Sequence, residues 1–218
     1  MVLSQYPIWF YYLHWEIRHR IYGFRNSAGT GLGLRQHVSI KAREQLTMNE
    51  PNTATVEVTY MELRGSPTPP IDRCGSERIA REHLSLPDYL TLYRNVGEPL
   101  RWNQRLLMPE GELRAQLEGK ALNIYVLRDQ QGNALGLCEF DRREFPEIEL
   151  KNLGLIPGAQ RRGLGPWFLK IALLAEWNSG ARRIWLHTDT WDHPAAMRVY
   201  ERAGFCVCDV RHEAPGML

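Results

Sequence analysis

Two glycines stand two apart, behind a pair of arginines, in the run Gln160-Arg161-Arg162-Gly163-Leu164-Gly165. An apolar strand-like segment precedes this run and a helix-like segment follows it. Glycines at this spacing let the backbone turn tightly and approach a ligand with no Cβ in the way. The first helical turn then leaves N–H groups without intrahelical partners. Those groups and the positive end of the helix dipole suit an anion such as a diphosphate, and Arg161 and Arg162 add forked donors. The run lacks the Gly-Lys-Ser/Thr ending of a nucleotide-triphosphate loop and the third glycine of a dinucleotide fingerprint. On its own it equally suits a plain helix start after a surface turn.

A second constellation lies one strand later. In His193-Pro-Ala-Ala-Met-Arg-Val-Tyr200-Glu-Arg-Ala-Gly204-Phe205, a tyrosine sits near the end of a short helix that Gly204 stops. A phenol there, with a pKa near ~10, can donate a proton. Glu147 and Glu149 share one face of the strand before the glycine run. His187, Asp189 and Asp192 lie together at the end of the next strand. Asp192 and His193 both suit the cap of the last helix.

The elements that must carry these groups follow from periodicity. Alternation over 55–63 predicts a strand. Helical spacing predicts helices over 77–94 and 98–107, separated by the Gly97–Pro99 break, and a short one from Pro109 to about Leu117. Strands are expected over 121–128 and 134–141 around an Asp129–Asn133 hairpin, and over 147–155. A helix from Gly163 to about Trp177, a strand over 183–189, a helix with Pro194 as its first residue, and a strand over 205–211 complete an α/β body with a mixed sheet.

With both motifs in this order, the sequence resembles the GNAT superfamily of acyl-CoA-dependent N-acyltransferases. The resemblance runs from about Thr55 to Val210 and is strongest over 147–206. The glycine run matches the family's Q/R-x-x-G-x-G/A motif in full. The last helix matches N-x-x-A-x-x-x-Y-x-x-x-G-F except that His193 stands where Asn is usual. The resemblance implies a mixed, mostly antiparallel central sheet of about six to seven strands with about four helices. It implies acetyl-CoA as co-substrate, with no metal. The backbone of Leu153, Gly154 and Leu155 would pair with the pantetheine arm. The N–H groups of Gln160, Arg161, Arg162, Gly163, Leu164 and Gly165 would hold the pyrophosphate.

By the same resemblance Tyr200 is the general acid, Glu149 the general base and the Leu155 N–H the oxyanion donor. One family branch places a Glu just before the last helix, where this chain has Trp191, and a water chain, or His187, Asp189 or Asp192, remains an alternative to Glu149. The acceptor would meet Tyr93, Glu98, Trp102, Arg105 and Glu147. The expected activity is transfer of an acetyl group to a primary amine by direct attack in a ternary complex, since no cysteine stands in a matched nucleophile position. A non-catalytic acyl-CoA-binding module of the same fold is the alternative.

Composition bounds the rest. The 218 residues are 44% hydrophobic and 24% charged, as in an ordinary globular protein. A net charge of +2 gives no reason to expect nucleic acid. The charge is uneven: residues 1–47 carry +4 and residues 48–218 carry −2. The front also holds Tyr6, Trp9, Phe10, Tyr11, Tyr12, Trp15, Tyr22 and Phe24. Its apolar stretch is too short for a span of ~20 residues, and residues 6–24 lack the clean period of an interfacial helix. Residues 1–47 are expected to be an extension that packs on the body or a partner, or to precede a natural start at Met48; the enzyme domain is 48–218. The glycine cluster Gly29–Gly33 follows no strand pattern and reads as no phosphate loop. Four scattered cysteines without zinc spacing suggest reduced thiols and a cytoplasmic setting. A homodimer is left open.

Overall fold

The computed structural model describes residues 55–69 and 75–213. The aromatic front 6–24, the glycine cluster 29–33, Met48 and Cys74 lie outside the described residues. The chain divides into two compact units, Glu57–Arg211 and Met1–Val56 with His212–Leu218. Everything below concerns the first.

Seven strands and five α-helices are described: β1 (Val56–Leu63), β2 (Arg78–Arg81), α1 (Leu86–Gly97), α2 (Gln104–Leu107), α3 (Glu110–Glu118), β3 (Leu122–Arg128), β4 (Ala134–Asp141), β5 (Glu147–Leu155), α4 (Leu164–Asn178), β6 (Arg183–Asp189), α5 (Ala196–Ala203) and β7 (Cys206–Glu213). They form one sheet in the order β2-β3-β4-β5-β6-β1-β7. Pairing is antiparallel from β2 through β5 and between β6 and β1, and parallel between β5 and β6.

The expected helix over 77–94 is corrected. Its first part is β2, which pairs with β3 from Arg78 opposite Arg128 to Arg81 opposite Tyr125. The helix begins only after Ser85, whose Oγ accepts from the Asp88 N–H at 3.3 Å, with Pro87 in the first turn. The expected helix over 98–107 is likewise a 3₁₀ turn at Glu98–Leu100 followed by the four-residue α2. Helix α5 starts at Ala196 rather than Pro194.

Each sheet face has its own apolar layer. One includes Ile148, Leu150, Ile184 and Leu186 from the sheet, covered by Phe168, Leu169, Ala172 and Leu173 of α4. The buried α4 positions recur every three to five residues, as an amphipathic helix requires, and Gly180 at φ +107° ends the segment behind it. The other layer joins Ile124, Val126 and Leu137 to Tyr89, Tyr93 and Val96 of α1. Fully burying each large apolar side chain contributes about 1.5–3 kcal/mol before entropy is counted.

The first strand sits in the interior of the sheet, between β6 and β7, while the second is at the opposite edge. The described parts of the β1–β2 connection lie on the α4 side. Lys170 of α4 bonds Thr68 at 3.2 Å, and Arg162, just before α4, bonds Glu77 at 2.6 Å. No helix among the described residues is long and apolar enough to cross a membrane.

Candidate active site at the split between two parallel strands

Strands β5 and β6 part company. Their ladder holds only Glu147 opposite Arg183, Ile148 opposite Ile184 and Glu149 opposite Trp185. Both strands continue, to Leu155 and Asp189, without pairing to each other. A wedge-shaped gap therefore opens in the middle of the sheet just past Glu149.

A bulge on β5 sets what faces the gap. Phe140 stands opposite Leu150 and Glu139 opposite Asn152, which leaves Lys151 as the extra residue. The bulge resets the side-chain alternation, so Leu153 and Leu155 continue on the face of Ile148 and Leu150. The Ile156 N–H donates to the Leu135 carbonyl at 3.0 Å. By antiparallel alternation, Leu153 and Leu155 turn their N–H groups the other way, toward the gap. Gly154 faces the α1 layer. A Cβ there would lie 2.3 Å from Val96 Cγ1 and 3.2 Å from the Trp102 ring, so glycine is needed for α1 to pack.

The loop after β5 is pinned at both ends. The Gln160 side-chain amide donates to the Leu155 carbonyl at 3.1 Å. Arg161 and Gly163 both take left-handed backbone, at φ 59° and 70°. That conformation is cheap for glycine and costs an arginine about 1 kcal/mol. Gly163 caps α4, so the N–H groups of Leu164 and Gly165 open the helix. Arg161, Arg162 and Gly163 are exposed, and Leu164 is buried as an anchor.

Tyr200, on α5, lies in the α4-side layer and is buried. Its ring meets Phe205 edge-on at 6.0 Å. Burial, and then the charge of Asp192, push its hydroxyl well above the ordinary phenol range, so it is protonated at neutral pH. Asp192 is itself raised by burial and accepts from Thr188 Oγ1 at 2.7 Å. It is therefore not the helix cap. His193 instead accepts the Ala195 N–H on Nδ1 at 3.1 Å.

Glu149 alternates with Ile148 and Leu150 and faces the opposite side of the sheet. Lys151 Nζ lies 3.1 Å from its Oε1 and His187 Nδ1 3.3 Å from the same atom. Burial raises its carboxyl pKa, but the His187 hydrogen bond and the Lys151 charge outweigh burial and hold it below the usual carboxylate range. Glu149 is thus an anion at neutral pH. Trp185 and His187 share this face, and Tyr60 of β1 stands directly opposite His187 with ring centroids 5.9 Å apart. Glu147 lies outside the gap, exposed and 2.8 Å from Arg183. Trp191 is exposed.

The residues expected to read the acceptor divide. Trp102 lies over Gly154, on the Glu149 side of the sheet, and Glu98 is exposed on the turn after α1. Tyr93 and Arg105 are buried beneath α1. Burial pushes the Tyr93 hydroxyl up to about 12. Arg105 pairs with Glu139 of β4, which is fully buried and also accepts from Tyr89 at 2.6 Å, and it bonds Gln116 at 2.6 Å. Both stand in the packing that supports the site. Sequence reasoning missed Tyr60 and Trp185. Nothing in the sequence signals that β1 would insert next to β6.

A sheet split between two parallel strands, with a glycine-capped helix start at the end of one, defines the acetyltransferase class. A model of the acetyltransferase (GNAT) family matches residues 89–205. The chain belongs to the GNAT family. Among solved structures it is similar to a GCN5-related N-acetyltransferase from Sphaerobacter thermophilus, at 18% identity and TM-score 0.52, covering 74% of this chain and 53% of that one. One from Kribbella flavida is similar at 18% identity and TM-score 0.53, covering 74% and 60%. An aminoglycoside acetyltransferase from an uncultured soil metagenomic sample is similar at 15% identity and TM-score 0.50, covering 59% and 88%. This chain thus spans about half to three-fifths of the length of the first two. No curated protein matches it by sequence.

Proposed function

We propose that the protein transfers an acetyl group from acetyl-CoA to a primary amine, by direct attack within a ternary complex. One observation carries this: the sheet is open between β5 and β6, with a protonated tyrosine on one face and an ionised glutamate on the other. Bound acetyl-CoA would supply an activated acyl group and a thiolate leaving group.

The chain's own residues fit that co-substrate. The Leu153 and Leu155 backbone groups turned to the gap suit an extended amide-bearing arm, as an added strand would. The left-handed turn at Gly163, the opening N–H groups of α4 and the exposed Arg161 suit a diphosphate. The Leu155 N–H would donate to an oxyanion. Tyr200 gives its proton to the leaving sulfur. Glu149 anchors the basic side of the site, where an ammonium must lose a proton before it can attack. Trp102, Trp185 and Tyr60 form aromatic walls on that side, and Glu98 adds negative charge at its rim.

The unbridged Cys138, Cys206 and Cys208 suit a reducing, cytoplasmic setting. The test is calorimetric titration with acetyl-CoA and CoA, followed by thiol release with a panel of primary amines. Saturable binding with amine-dependent release is expected. Absence of binding would overturn the proposal and favour a fold kept without its co-substrate.

A further inference from the structure

We propose that His187 is the group that takes the amine proton, and that Glu149 is its positioning residue. This rests on the acetyl-transfer reading above. Three observations on geometry carry it.

Glu149 is the last β5 residue in the ladder, at the apex of the gap, whereas His187 is two residues beyond the last ladder residue of β6, Trp185. His187 therefore stands farther into the opening, on the same face as Glu149. Glu149 has its Oε1 shared between His187 Nδ1 and Lys151 Nζ. An anion held by two donors is stable and correspondingly a poor base. The imidazole, with Nδ1 turned to Glu149, directs Nε2 away from it, and its side chain keeps 20% exposure. The Tyr60 ring backs the imidazole, and the Arg211 guanidinium lies over that ring, 4.5 Å from its centroid.

The charged and titratable groups around His187 are Glu149 and Lys151 on β5, Asp189 on its own strand, Tyr60 on β1 and Asp192 in the loop beyond. The anion in hydrogen-bond reach is Glu149. It selects the tautomer with the proton on Nδ1, leaving Nε2 as the acceptor.

The protons balance. The ammonium gives one proton to His187 Nε2. The freed nitrogen pair forms the C–N bond as the C–S bond breaks. The departing thiolate takes the Tyr200 proton, and the second nitrogen proton reloads Tyr200. His187 then releases its proton to water, so the net products are the amide, the free thiol and one proton.

Two measurements on the full chain test this. Nitrogen NMR of the His187 ring above neutral pH should show the Nδ1–H tautomer in wild type and loss of that preference in Glu149→Ala. A wild-type Nε2–H tautomer overturns the dyad without any reference to activity. With acetyl-CoA and an amine from the panel, His187→Gln should lower kcat/KM by about 10²-fold or more and remove the acid limb of its pH profile. Added imidazole should restore part of the rate of His187→Ala. His187→Gln that turns over within twofold of wild type, with the acid limb kept, overturns the base assignment. Calorimetry with acetyl-CoA separates the cases. Retained binding with an unchanged rate ends only the His187 proposal, whereas no binding by wild type ends the acetyl-transfer reading and the base role with it.

Discussion

Tyr200 and Glu149 stand on opposite faces of one sheet, and the ladder between β5 and β6 ends at Glu149. Tyr200 packs in the layer of Ile148, Leu150, Ile184 and Leu186, while Glu149 projects from between the first two of these to the other side. A continuous sheet would keep groups so placed from ever meeting one reacting centre. The β5–β6 ladder ends at Glu149 and Trp185, so the two faces communicate through the gap beyond. On the proposed function, an acid on one side and an amine on the other would approach a thioester held in the split.

Replacing Tyr200 by Phe should therefore separate chemistry from binding. The hydroxyl makes no hydrogen bond to another described residue, so its removal leaves no buried partner unsatisfied. The melting temperature and the calorimetric affinity for acetyl-CoA should stay close to wild type. The kcat should fall by about 10²-fold, as loss of a proton donor predicts. An unchanged kcat would make Tyr200 a core residue only.

Gly165→Glu addresses the diphosphate assignment. A Cβ at Gly165 meets only Leu155 Cδ1 at 3.8 Å, an ordinary contact, so the fold should survive. The carboxylate would compete for the helix-opening N–H groups. Acetyl-CoA affinity measured by calorimetry should drop at least about tenfold, or about 1.4 kcal/mol. Wild-type affinity would mean that the loop does not hold the diphosphate.

The sequence made the second half of the molecule legible and left much of the first half obscure. Strand 183–189 and the helix over 163–177 are found within a residue, because each has a clean period and Gly180 separates them. The error at 77–94 came from joining Arg78–Arg81 to a helix whose start was written in Ser85, Pro87 and Asp88. The tetrapeptide is a strand only because β3 offers it an edge, which no local pattern encodes. The same limit applies at the site. Glu149 can be singled out from its motif, but the His187 contact depends on two strands lying in parallel register, and Tyr60 arrives from more than a hundred residues away. Tyr93 and Arg105 look like surface specificity residues in sequence. Arg105 is buried against Glu139, a charge the sequence gives no reason to place in the core, and Tyr93 packs into the apolar layer of α1.

Glu149 also links acidity to stability. Its carboxyl pKa is lowered in the folded state from an ordinary value of 4.5, since the His187 hydrogen bond and the Lys151 charge together outweigh burial. A depressed carboxyl contributes stability above its unfolded pKa and loses it as pH falls through the folded value. Wild type should exceed Glu149→Gln in melting temperature near neutral pH, with the difference shrinking progressively below about pH 4.5. A difference that is flat across that range would mean that the ion pair is not formed in solution.

Gly154→Ala should show that this position serves packing as well as pantetheine. The added methyl would meet Val96 at 2.3 Å and Trp102 at 3.2 Å, and neither is the loose end of a flexible chain. Overpacking of this kind costs about 1–3 kcal/mol. Denaturant unfolding should register that loss, and acetyl-CoA affinity should weaken with it because β5 and α1 must move apart. Wild-type stability would mean that α1 is free to shift and does not fix the strand that borders the gap.

The Arg105–Glu139 pair should behave as a unit beneath α1. Arg105 is 7% exposed and Glu139 fully buried, and Tyr89 and Gln116 complete their hydrogen bonding. Arg105→Met alone strands a buried carboxylate, which costs about 3–5 kcal/mol. Adding Glu139→Gln removes that stranded charge while keeping an acceptor for Tyr89. The double variant should recover a substantial part of the loss in denaturant unfolding, giving a favourable coupling in the double-mutant cycle. Additive losses would mean that the two side chains contribute independently. Because α1 and Trp102 cover the acceptor side of β5, the single variant should also raise KM for the amine, and the double variant should bring it back toward wild type.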